Sequence, residues 1–412
     1  MHISKLNLEN YGPIQSVELE FQPDFNVVAG INGAGKTSVL NALSIMLGRY
    51  SAAVRTGRAA GLPKRDAIRH GNRSTKATIS ARTEVDGEIN WSAGAALPGR
   101  KPKGLTESRS LNVYAAKLAD DINGAPEKAS LPIVVAYSVN RAVLDIPLRI
   151  RTKVPFAQYA ALDDTPFSGP RNFRTFFAWF RDREDVENEQ RSLGRRQKDP
   201  QLKAVRSAVE GLLDGFSDLR VRRQPLRMLI TKDGQDFQVD QLSDGEKCVL
   251  ALVGDLARRL AIANPANNNP LHGLGIVLID EIELHLHPAW QRSIVGGLKR
   301  VFPNCQFIVS THSAQVLGEV DPQGIFLLDQ GRIKRPNRSF GRDSNLILQE
   351  LMGASQRSKW AVEALGELYE LIDEGKMKAA RPRFDELEKR LGTDEPDLTA
   401  ARALFTGEER AA

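Results

Sequence analysis

The sequence predicts an α/β fold built around a phosphate-binding loop, on three observations. A short buried strand, Phe25 to Ala29, runs straight into Gly30-Ile31-Asn32-Gly33-Ala34-Gly35-Lys36-Thr37, after which Val39, Leu40, Leu43 and Leu47 keep helical spacing. A second apolar run, Ile276 to Ile279, ends on Asp280-Glu281, and a further strand, Gln306 to Val309 with Phe307 to Val309 apolar, ends on Ser310-Thr311-His312. Apolar runs of four or five residues that end in polar chemistry are the signature of strands buried on both faces, as in a parallel sheet covered by helices.

Taken in chain order, Ile3, Leu6 and Leu8 form a strand, Asn10-Tyr11-Gly12-Pro13 breaks it, and Val17, Leu19 and Phe21 alternate as the next. From about Ser51 to Ser130 the pattern weakens, although Lys76 to Val85 and Glu88 to Ser92 flank an Asp86-Gly87 hairpin turn. Leu131 to Tyr137 is another buried strand. A helix follows Gly169-Pro170, with Phe173, Phe176, Phe177 and Phe180 on one face; core packing is favoured over a cofactor or partner pocket. A second helix spans about Gln201 to Phe216, and strands at Arg220–Arg223 and Leu226–Thr231 turn at Lys232-Asp-Gly. Ile325 to Leu328 reads as the last strand. The tail is helical, with Leu365, Leu368 and Ile372, then Met377, Phe384, Leu387 and Leu391, separated by a stop at Gly375.

Composition narrows the class. The 412 residues carry 57 Lys+Arg against 51 Asp+Glu, a net charge of +6, and are 41% hydrophobic, which excludes global disorder. Cys248 and Cys305 cannot make a disulfide framework and fit a reducing cytoplasm. No apolar run approaches the ~18 residues of a spanning helix, and the start lacks a signal pattern, so a cytoplasmic protein without membrane contact is expected.

The loop spacing explains itself chemically. Glycines let backbone N–H groups wrap phosphates at a helix start, where the dipole favours anions; Gly30, Asn32, Gly33, Ala34, Gly35, Lys36, Thr37 and Ser38 are therefore the candidate nucleotide contacts. Lys36 suits the β- and γ-phosphates, and the Thr37 hydroxyl is a hard oxygen ligand for Mg²⁺. Asp280, at a strand end, is placed to hold the same Mg²⁺, and Glu281 to polarise the attacking water that hydrolysis requires. His312 follows Glu281 by 31 positions, room for one helix and one neighbouring parallel strand, which would bring it to the γ-phosphate. Leu242-Ser243-Asp244-Gly245-Glu246 precedes an apolar helix; Ser243 and Glu246 make a capping box, and a capped helix start is also an anion site.

In this order the four motifs resemble those of an ATP-binding-cassette ATPase over residues 1 to about 335. The resemblance implies a P-loop NTPase head with a mixed central sheet, an antiparallel β subdomain, a helical insertion (the insertion spanning about 51–235) and C-terminal helices over 336–412 that would bind a partner. It implies ATP and Mg²⁺ as cofactors, and a homodimer or higher oligomer in which Ser243, Gly245 and Glu246 of one subunit face the nucleotide of the other. Glu283 to Pro288 would then be the loop crossing that interface, a reading preferred to a His285/His287 metal site because no zinc-spaced carboxylate or Cys cluster accompanies them. A glutamine loop is not identifiable; Val135 to Arg141 stands in its place, with Arg141 directed at phosphate, and no adenine-stacking aromatic is evident near Tyr11.

About 205 positions separate Thr37 from Leu242, too many for a transporter subunit, and long heptads are absent. The compact branch that includes overcoming-lysogenization-defect and RecF-like ATPases remains. Phe176 to Glu189, Gly341 to Glu350 and Leu391 to Leu398 are similar to Septu-type anti-phage ATPases, also found in some retrons. That similarity implies an ATPase controlling an HNH-type nuclease, with a retron reverse transcriptase and its DNA product as further partners in a retron setting. The alternative is a RecF-like DNA-binding ATPase acting in repair or recombination without a nuclease. Arg220, Arg222, Arg223 and Arg227, with Arg149 to Lys153, either neutralise nucleic-acid phosphates in one groove or lie on a solvated surface.

Overall fold

The chain opens as an antiparallel ribbon, β1 (His2–Tyr11) and β2 (Ile14–Glu20), turning at Asn10 and Gly12, both at positive φ. This computed structural model describes residues 1–31, 33–99, 103–139, 157–163, 171–195, 198–329, 331–353 and 357–409. β3 (Phe25–Ala29) is wholly buried and leads through the glycine loop into α1 (Lys36–Thr56). The stripe Val39, Leu40, Leu43 and Leu47 is buried, as its spacing dictates. β4 (Ser74–Thr83) and β5 (Gly87–Ala96) pair across Asp86-Gly87, and the four strands form a sheet of order β2-β1-β4-β5. The antiparallel sheet is therefore not confined to the inserted stretch: its first two strands precede the glycine loop.

An unforeseen helix, α2 (Arg109–Gly124), follows, burying Leu111, Tyr114, Ala115 and Ile122. β6 (Ile133–Tyr137) is fully buried. In α3 (Arg171–Ser192), Phe173, Phe176, Phe177 and Phe180 are all buried beside Trp179, so the aromatic face is core. α4 (Pro200–Leu212) ends four residues before the predicted stop, because Gly215 turns the chain at φ +81° into β7 (Phe216–Arg223). β8 (Leu226–Lys232) and β9 (Gln235–Gln238) complete a three-stranded sheet, β9 being an addition to the expected pair.

Then come α5 (Asp244–Ala263), β10 (Gly275–Ile279), α6 (Pro288–Val301), β11 (Cys305–Thr311), the single turn α7 (Ala314–Leu317), β12 (Ile325–Asp329) and β13 (Arg332–Lys334). β13, not β12, is thus the last strand. The central sheet has the order β13-β12-β3-β11-β10-β6, parallel throughout except for β13. The two larger sheets are tied by Gln306 of β11: its Oε1 accepts from Ile3 N (2.7 Å), and its Nε2 donates to the carbonyls of Ile3 and Gln22 (both 2.8 Å).

The chain divides into two compact units, 1–347 and 348–412. α8 (Ser344–Met352) runs across the division. The second unit contains α9 (Lys359–Asp373), α10 (Met377–Leu391) and α11 (Pro396–Glu409), which share a core of Leu365, Leu368, Phe384, Leu387, Leu398 and Phe405. Gly375, at φ +69°, separates α9 from α10.

Candidate functional site

Three adjacent parallel strands, β3, β11 and β10, deliver their C-terminal ends to one edge of the central sheet. In open α/β sheets, ligands bind beyond the carboxyl ends of the strands. β3 leads into the glycine loop, in which Gly30, Gly33 and Gly35 all take positive φ; Gly35, at φ +107°, is the N-cap of α1. A side chain at that angle is strained, so glycine leaves the first backbone N–H groups of α1 bare. Lys36 is 7% exposed and donates Nζ to the carbonyls of Gly30 (2.9 Å) and Ile31 (3.1 Å), lying across its own loop. Burial lowers its pKa, while Glu281, Asp280 and Glu283 pull the other way without cancelling that effect. Ala34 is buried, Ser38 half-buried and Thr37 exposed on the first turn of α1; Asn32 lies outside the described residues.

At the end of β10, buried Asp280 donates its backbone N–H to the Tyr137 carbonyl (2.9 Å) and accepts at Oδ1 from the Ser310 hydroxyl (2.5 Å). The same Ser310 oxygen accepts from Glu281 N (2.8 Å), and the Ser310 carbonyl accepts from Ile282 N (3.1 Å). Glu281 sits at φ +48°, a sparsely populated conformation for a side-chain-bearing residue. Glu283 then reaches β11, accepting from Thr311 Oγ1 (2.7 Å) and from the His312 backbone N–H (2.5 Å). Asp280, Glu281 and His312 are therefore joined through Ser310 and Glu283, two residues the sequence reading did not single out. The one signal for Ser310 was its place at the strand end, two residues before the histidine.

Ser243 is the N-cap of α5, and the capping box is complete: Ser243 N donates to Glu246 Oε2 (2.8 Å) and Glu246 N to Ser243 Oγ (3.4 Å). Burial opposes the ionised form of Glu246, but the Lys232 ammonium at 2.6 Å and the Ser243 hydrogen bonds outweigh it and hold the carboxyl below its usual range. A methyl group on Gly245 would come within 2.6 Å of the His285 carbonyl oxygen, so only glycine lets this helix start approach the loop after Glu283. His285 itself has φ +64°, and His287 caps α6 through Nδ1. Among the described residues no group of three or more His, Cys, Asp and Glu gathers as a metal site. Thr37 and Asp280 are hard oxygen donors of the kind Mg²⁺ takes in company with phosphate.

Val135 to Tyr137 is the edge strand β6 beside β10, but Arg141 and Arg149 to Lys153 lie outside the described residues. The arginine row of the β7–β8 hairpin is spent within the fold. Arg220 pairs with Asp218 (2.7 Å) and Asp236 (2.5 Å), Arg223 with Glu184 (2.9 Å) and Asp185 (2.6 Å), Arg227 with Asp240 (3.6 Å), and Arg222 donates to the Gln224 carbonyl (2.9 Å). These pairs lie at a partly exposed surface.

The family described as "AAA domain, putative AbiEii toxin, Type IV TA system" matches residues 25–318. The "Retron Ec83 probable ATPase" of Escherichia coli is 30% identical, covering 87% of this chain and 77% of its own. The "Septu protein PtuA" of Bacillus thuringiensis is 24% identical over 90% of this chain and 89% of its own. In three dimensions an Smc head solved with the C-winged helix domain of ScpA matches 82% of this chain and 98% of its own, at TM-score 0.50 and 18% identity, a likeness of fold. No helix among the described residues is long and apolar enough to cross a membrane. With loop, carboxylates and family in agreement, the chain belongs to this AAA-domain family and is an ATPase related in sequence to the retron and Septu ATPases.

Proposed function

We propose that this ATPase binds Mg-ATP between two copies of itself and, through hydrolysis, controls an HNH-type nuclease in anti-phage defence. The observation that carries the chemistry is the junction of β3, β11 and β10, where Lys36 lies in the field of Asp280, Glu281 and Glu283 while the Ser310 hydroxyl holds the Asp280 carboxylate and the Glu281 backbone N–H. Lys36 and the loop N–H groups hold the phosphates. Thr37 and Asp280 hold Mg²⁺, which neutralises developing charge on the phosphoryl oxygens. Glu281 orients the attacking water, and His312 meets the γ-phosphate. Ser243, Gly245 and Glu246 face the nucleotide of the second copy. The defence role rests on the retron and Septu relatives, and the helices of 336–412 are the surface assigned to the nuclease.

Phosphate release tests this directly. Lys36→Ala should abolish ATP binding and turnover together. Glu281→Gln should bind ATP normally while turnover falls about 10²- to 10⁴-fold, the usual worth of a general base. Undiminished release in the glutamine variant would overturn the assignment. Co-expression with an HNH-type nuclease from a neighbouring gene, where one is encoded, should yield a stoichiometric complex, and deleting 348–412 should lose that complex while sparing phosphate release. Free purification of both proteins would favour the RecF-like alternative.

A further inference from the structure

The connection between α1 and β4 carries charge that the fold leaves unbalanced. From Gly57 to Arg73 it contains Arg58, Lys64, Arg65, Arg69 and Arg73 against one acid, Asp66, and no Phe, Tyr or Trp. Its backbone is fixed. Gly12 N donates to the Ala67 carbonyl (2.8 Å), Arg69 N to the Asn10 carbonyl (2.9 Å), and Leu97 N to the Arg73 carbonyl (2.9 Å). The segment is thereby laid across one end of the antiparallel sheet, from the β1–β2 turn to the end of β5. Lys64, Arg65 and Arg73 are exposed and Arg69 half-exposed, and exposed Lys103 returns beside the same end. Among the described residues none of these five side chains has an ion pair or hydrogen bond, whereas the arginines of the β7–β8 hairpin are engaged by carboxylates or a carbonyl. A cavity of about 450 Å³ opens beside them, lined by Leu62, Pro63, Arg65, the Gly94–Ala96 stretch of β5 and Gly104–Thr106.

The geometry points to this edge, residues 64–73 with Lys103, as a docking surface for the sugar-phosphate backbone of a nucleic acid. Charge complementarity selects the partner: five uncompensated cations on a fixed backbone match a repeating polyanion. With no Phe, Tyr or Trp in the segment there is little to stack on bases, so contact is mainly with phosphates and largely indifferent to sequence. The surface borders the nucleotide loop through the β1–β2 turn, where Gly12 lies against Ser38, and the inference stands whether or not the nuclease reading does.

The test is fluorescence anisotropy of the full-length protein with labelled 40-mers of mixed sequence, single-stranded and duplex, across a KCl series. Five phosphate contacts predict a log–log salt slope of about −4 to −5 on duplex. The triple variant Lys64→Glu, Arg65→Glu, Arg73→Glu should weaken binding at least about tenfold and shrink the slope by about three, one per cation lost. A control with the same change in net charge, Lys203→Glu, Lys378→Glu, Lys389→Glu, should bind as the parent does, and basal phosphate release measured on each preparation reports on the ATPase separately. Equal losses in both variants, an unchanged slope in the first, no binding by the parent, or stronger capture by phosphatidylserine vesicles at matched charge would each overturn the assignment.

Discussion

Ser310 shows why the proposed catalytic pair, Asp280 and Glu281, cannot be understood from its own motif. Its hydroxyl donates to Asp280 and accepts from the Glu281 backbone, holding Glu281 at a positive φ that its own preferences disfavour. A hydrogen bond to a charged group is worth about 1.5–3 kcal/mol. Ser310→Ala is therefore expected to lower turnover about ten- to a hundredfold while ATP affinity, set by the loop, changes little; a variant within twofold of the parent in phosphate release would refute this role. The loop, Asp280 and Glu281 were legible because their chemistry is local and contiguous. Ser310 and Glu283 were not, because their partners lie 28 to 30 positions away and meet only when β10 and β11 pair.

In α5 the legible part was the capped start and the apolar run from Val249 to Leu256. Concealed in the same helix are Asp255, Arg258 and Arg259, all at most 1% exposed. Asp255 accepts from Arg258 (2.7 Å), Arg259 (2.7 Å) and the Tyr137 hydroxyl (3.0 Å), which links this helix to the strand whose carbonyl receives Asp280 N. Burial penalises the charged form of Asp255, but Arg259 and Arg258 more than offset that, and its pKa lies below the ordinary value. The carboxylate thus stabilises the fold fully above about pH 4, the unfolded value, and that contribution drains away as pH falls towards the depressed folded pKa. Asp255→Asn leaves two buried guanidinium groups short of their counter-charge and should cost about 3–5 kcal/mol. Denaturant melts at pH 7 and pH 3 check this: the deficit should narrow in acid, and an equal deficit at both would contradict it. The partners of the β7 and β8 arginines were hidden for a related reason. A strand's alternation displays its own charges, while Glu184, Asp185, Asp236 and Asp240 arrive from elsewhere in the fold. α2 escaped notice because only a handful of its residues are buried.

For the assembled protein, the decisive expectation concerns association. With ATP, Glu281→Gln should double in mass by light scattering, and adding Ser243→Arg should return it to the single-chain mass while the circular dichroism spectrum stays that of the parent. A glutamine variant that stays single-chain at saturating ATP would remove the shared nucleotide from the proposal. The order of motifs conveyed the central sheet, since each motif had to end a strand; which sheet β1 and β2 would join was not readable, because pairing with β4 and β5 depends on partners some 70 residues away. One side chain ties those sheets together: the Gln306 amide of β11 makes two hydrogen bonds to the Ile3 backbone of β1 and one to the Gln22 carbonyl. A shift of Ile3 therefore pulls on β11, the strand whose far end carries Ser310.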